Sequence, residues 1–102
     1  MFVSGMGDET NEPSVARTTG FFTSEGSGDK FLVWDSDRRA VHETMDVHKC
    51  DSPVQQDHCR WIGSAGLAFF DAIMRNRQLA ERWLRSDAMD ILSGDVIEIH
   101  HR

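Results

Sequence analysis

The chain has 102 residues, 39% of them hydrophobic and 27% charged, which suits one domain with a modest core and is too short for two ordinary ones. Its apolar runs are only a few residues long, against the roughly 20 a membrane-spanning helix needs, and no charged start leads into a long apolar segment, so a cytoplasmic protein with no membrane contact is expected. The net charge is −6, and all of it falls in residues 1–59 (11 acidic, 5 basic), while residues 60–102 hold 6 of each; an acidic half repels phosphate backbones, so nucleic-acid binding is disfavoured and a basic protein partner is the better match.

Residues 1–13 are polar, acidic and rich in glycine and proline, which reads as a flexible arm before a single domain over 14–102. Ser14 to Ser24, with Val15, Thr18, Thr19, Phe21, Phe22 and Thr23, has β-favouring composition. Glu25 to Asp29 is a turn, and Lys30 to Asp35 the next strand, with Phe31 and Val33 on one face and Leu32 and Trp34 on the other. Apolar residues on both faces predict a strand covered on both sides. After a second turn at Asp35–Arg39, the alternation from Ala40 to Val47 predicts a third strand, paired antiparallel with the second as a hairpin.

Residues 49–59 read as a loop, because Pro53 has no amide to give to a ladder, with Trp61 and Ile62 anchoring its far end. Ser64 is a candidate N-cap for a helix through Leu67, Phe69, Phe70, Ile73 and Met74. The apolar pattern loosens at Arg75-Asn76-Arg77 and returns at Leu79, Ala80, Trp83 and Leu84, so one bent helix or two helices both fit. Ser86 or Asp87 caps a last short helix that Gly94 ends, and Val96 to Ile99 is a final strand. The expected fold class is α+β: an antiparallel sheet of three or four strands packed by a long C-terminal helix region.

The segment Gly28-Asp29-Lys30-Phe31-Leu32-Val33-Trp34-Asp35, then Ala40-Val41-His42, then Trp61-Ile62 followed by Leu67 to Ile73, resembles the later half of the SUKH (Smi/Knr-type) superfamily, over roughly residues 20 to 74. That family normally opens with helices and an acidic-proline motif for which this chain has no room, and its tail is shorter than Arg75–Arg102. The resemblance implies a non-enzymatic module that binds a protein partner, in its most specific form an immunity protein of a bacterial toxin system.

Cys50 and Cys59 are too few for a disulfide scaffold and are expected as free thiols, a disulfide joining the two being disfavoured in a reducing compartment. With His48 and His58 they place two imidazoles and two thiols within twelve residues, the ligand types zinc prefers, but not at the spacing of a zinc finger or ribbon. No metal and no cofactor is therefore expected. A Cys50 or Cys59 nucleophile with a histidine base, or a Ser64-His-Asp set, comes without a diagnostic local motif, so no catalytic residue is assigned. Arg75, Arg82 and Arg85 lie near one helical face and read as a solvated row.

Three Trp and six Phe exceed what one sheet face and one helix readily hide, which predicts self-association as a homodimer. The expected function is a non-catalytic protein-binding module, its contact surface formed by Glu25, Asp29, Asp35, Asp37 and Glu43 around the hairpin tips. The alternative is a small-molecule binder or small enzyme whose aromatic pocket, between sheet and helix, is lined by Trp34, His42, His48 and Trp61.

Overall fold

A computed structural model describes residues 1–7, 14–25, 28–41, 44 and 50–102 of the chain. In chain order they form β1 (Phe2–Gly5), α1 (Ser14–Thr23), β2 (Phe31–Asp35), α2 (Pro53–Met74), α3 (Gln78–Leu84), α4 (Ala88–Ser93) and β3 (Ile97–His101). The class is α+β, but the sheet is mixed rather than antiparallel. Its order is β1-β2-β3, with β1 parallel to β2 and β3 antiparallel to it.

Three elements differ from the sequence expectation, and each has a physical reason. The start of the expected arm is a strand, with Val3 opposite Val33 and Gly5 opposite Asp35; residues 8–13 lie outside the described residues. Because β1 runs parallel to β2, the chain must cross from the end of one to the start of the other, and a helix makes that return. Ser14–Thr23 is therefore α1 despite its β-favouring composition, and Thr23 Oγ1 donates to Thr19 O one helical turn back. The strand expected over Ala40–Val47 falls mostly outside the described residues. The antiparallel neighbour of β2 is β3, in the register Val33 to Ile99 and Phe31 to His101.

The loop expected over 49–59 is in large part the first turns of α2. Ser52 caps this helix by accepting from the Gln55 amide at 3.2 Å, and Pro53 follows at the first helical position. A proline there loses nothing, since that amide has no intrahelical partner in any case. Of the two readings of the 75–77 break, two separate helices is the one observed: Asn76 adopts φ 54° and the Arg77 amide donates to Asp71 O at 3.0 Å. The long C-terminal helix region is thus α2, α3 and α4 in succession. Gly94 ends α4 in the left-handed conformation (φ 66°), where a side chain would be strained.

The core lies between the sheet and the three C-terminal helices. Val33 packs with Ala65, Met89 and Ile97, and Phe31 with Ala72 and Leu84. Phe31 also meets the Phe69 ring edge-on, with centroids 6.1 Å apart. The odd-numbered β2 residues therefore face α2, which carries Asp35 to the same side, while Leu32 and Trp34 point to the opposite face.

Candidate functional site

The polar residues that the fold brings together lie at the C-terminal end of β2. Asp35 is fully buried, and its Oδ2 accepts a close hydrogen bond from Nδ1 of His58, itself buried in the second turn of α2. The other ring nitrogen, Nε2, faces Asp37 Oδ2 at 3.5 Å. The Asp-Ser-Asp-Arg-Arg turn satisfies its own carboxylates. Asp35 Oδ1 accepts from the Asp37 amide at 3.0 Å, and Asp37 Oδ1 accepts from the Arg39 amide at 2.9 Å. The Arg39 guanidinium closes the set, its Nε and Nη2 both on Asp37 Oδ2.

Burial pushes the Asp35 carboxyl above its ordinary value, against the opposing pull of His58 and the Asp37 amide. Arg39 holds the Asp37 carboxyl well below the usual range, at about 2. A neighbouring relay fastens the same turn to α2: Thr44 Oγ1 donates to Gln55 Oε1 at 2.6 Å, and Gln55 Nε2 donates to Arg39 O at 3.1 Å. Trp61 covers the His58 ring edge-on at 5.3 Å. The cluster is a latch between a strand end and a helix start. Its two carboxylates sit against opposite nitrogens of one imidazole and do not converge on a common point. Among the described residues no group of three or more His, Cys, Asp or Glu side chains could hold a metal ion.

Cys50 and Cys59, expected as free thiols, are joined by a disulfide with Cα atoms 6.4 Å apart. The α2 start explains this correction: with residues 53 onward helical, Cys59 is carried back beside the segment that enters the helix. Cys59 Sγ also lies 3.3 Å from Thr44 O. A nucleophilic or zinc-binding role for either sulfur would require the bridge to be reduced first.

Of the residues expected as an acidic contact surface, the four that are described are not gathered into one patch. Glu25 is exposed, and Asp29 is exposed and paired with Arg85 at 3.1 Å. They precede β2, whereas Asp35 and Asp37 end it, so Asp29 and Asp35 stand about 20 Å apart along an extended chain. Asp35 is interior, Asp37 is held by Arg39, and Glu43 lies outside the described residues. Of the alternative pocket, the two described residues lie apart in the fold. Trp34 is on the face of β2 away from α2, Trp61 is on α2, and His42 and His48 lie outside the described residues. In the arginine row, Arg75 pairs with Asp71, while Arg85 pairs with Asp29 and Glu81 and lies over the Phe31 ring.

Two hollows and one surface complete the picture. A cleft of about 500 Å³ between α4 and β3 is lined by Asp90, Asp95, Glu98, Ile99 and His100. Burial, then the neighbouring Asp95 and Glu98, raise the Asp90 carboxyl. A groove of about 250 Å³ between α2 and α3 is lined by Ser64, Leu67, Ala68, Asp71, Ala80 and Trp83. Beside that groove the outer side of α2 carries exposed Leu67, Phe70, Ile73 and Met74, with Leu79 just past the turn into α3. The sequence pattern grouped Leu67, Phe69, Phe70, Ile73 and Met74 on one helix; of these only Phe69 packs inward, against Phe31, and the other four face out. Ala65 and Ala72, small enough to let α2 approach the sheet, face inward with His58.

No protein-family model, curated protein or solved structure matches this chain. Among the described residues no helix is long and apolar enough to cross a membrane.

Proposed function

We propose that this chain is a non-catalytic protein-binding module that works as a small homodimer. The observation that carries the reading is the outer helical surface: Leu67, Phe70, Ile73, Met74 and Leu79 are each 54–78% exposed, on a chain of only 102 residues. Contiguous apolar surface of this kind is uncommon on a monomer and marks a contact site. The buried state of Asp35 and His58 adds weight, since acid–base chemistry needs groups that a substrate can touch.

Immunity to a toxin is the narrower form of this proposal and rests on the SUKH resemblance. A basic protein would then meet the acidic first half of the chain, leaving the α2 surface to self-association. A cytoplasmic site of action would make Cys50–Cys59 a redox-responsive bridge rather than a permanent one. The test is light scattering combined with thermal unfolding over a hundredfold range of protein concentration. A mass of twice 11.6 kDa and a Tm that rises with concentration are expected. A monomer with a concentration-independent Tm overturns the homodimer.

A further inference from the structure

We infer that the occupant of the α2 face is a second copy of this chain, docked about a two-fold axis near Phe70 with the two α2 helices antiparallel. The inference rests on the homodimer reading and says which surface makes the contact and in what orientation.

The pattern of exposure places the contact. Leu67, Phe70 and Met74 recur at i, i+3 and i+7, so they form one stripe along α2, on the side away from the buried His58, Ala65 and Ala72. Ile73 flanks the stripe, and the α2–α3 groove runs along its other margin. A side chain of the second copy would find in that groove a mostly apolar lining between Leu67 and Trp83. Exposed Gly63 continues the stripe toward the helix start, and apart from its chain neighbours and the backbone of its own helix no atom lies within 4 Å of where its Cβ would be. Within the stripe of Leu67, Phe70 and Met74, Phe70 is the middle residue. In an isologous contact the centre of the patch meets itself, which puts Phe70 beside its own mate.

Charge selects the occupant and its direction. Residues 60–102 are balanced, so two copies meeting there bring no net repulsion, whereas contact through residues 1–59 would set −6 against −6. A basic partner would be drawn to that acidic half instead of the neutral face. Along α2, Asp57 is offset by Arg60 at 3.6 Å and Arg75 by Asp71 at 3.3 Å, which leaves Asp51 just before the start and Arg77 just past the end, followed by Arg82 on α3. Among the described residues Asp51, Arg77 and Arg82 make no ion pair. Antiparallel helices set the acidic end of each copy toward the basic end of the other, and their dipoles also oppose favourably. A parallel pair would bring like ends together.

A charge-swap experiment at Phe70 tests this, since the side chain is 61% exposed and its ring contact is with the half-buried Phe69. Phe70→Glu and Phe70→Lys are each expected to be monomeric, with association weakened at least 100-fold and far-UV circular dichroism unchanged. Mixed in equal amounts, the two variants should re-form a dimer, because Glu and Lys then face each other across the axis. If wild type is a dimer and both variants remain dimers, the contact lies elsewhere and this inference falls while the homodimer reading stands. If both are monomers and mixing restores nothing, the two-fold axis is not at Phe70 and the inference is overturned. A wild type that is monomeric at every concentration overturns this inference and the homodimer together.

Discussion

Asp35 and His58 are worth something to the fold only as a pair. Each is buried, and a buried carboxylate left without its partner costs about 3–5 kcal/mol, whereas a matched pair roughly offsets its own desolvation. His58→Leu keeps the volume and removes the partner, so a loss of about that size is expected in chemical denaturation. Adding Asp35→Asn should then recover part of it, because the amide oxygen still accepts from the Asp37 amide while the buried charge is gone. A denaturation midpoint at the wild-type value for His58→Leu alone would show that the latch does not hold α2 to the sheet. The Asp-Ser-Asp turn was legible in the sequence, since such turns have a local cause in side chains bonding amides two residues on. Its bond to His58 was not, because 23 residues separate the two and no local rule spans that distance.

Among the elements, those bounded by local signals were the legible ones. Gly94 marked the end of α4, Val96–Ile99 foreshadowed β3, and Phe31–Asp35 marked β2. The start of α2 was misplaced because Pro53 excludes a central strand but equally suits the first position of a helix. Composition pointed α1 toward a strand, and the parallel pairing of β1, a non-local fact, overrode it. Gly63 is an element-scale oddity: an exposed glycine in mid-helix, less favourable than alanine by about 0.8–1 kcal/mol. Gly63→Ala has open space for its methyl group. In the Phe70→Glu background, which the proposed contact predicts to be monomeric, it should raise stability by about that amount, read as a higher denaturation midpoint. A lower midpoint would mean that another part of the chain occupies the space beside Gly63.

At the scale of the whole molecule, α2 and the segment entering it are held together covalently as well as by packing. The Cys50–Cys59 bridge closes a loop with a sequence separation of 9 at the edge where β2, the Asp-Ser-Asp turn and α2 converge. The sequence disfavoured this pairing, because the geometry that brings the two sulfurs together depends on a helix that begins before Cys59. Closing a loop of this size lowers the entropy of the unfolded chain and stabilises by about 2–3 kcal/mol in the loop-entropy account. On a domain of this length that corresponds to a Tm shift of roughly 10–20 °C. Unfolding followed with and without a dithiol reductant should show a drop in that range. A Cys50→Ser/Cys59→Ser variant should melt at the lower temperature and ignore the reductant. Protein concentration must be held fixed, since a dimer adds its own contribution to Tm. Equal melting temperatures for the bridged and reduced protein would mean that packing of Trp61, Ala65 and Ala72 against the sheet positions α2 without the bridge.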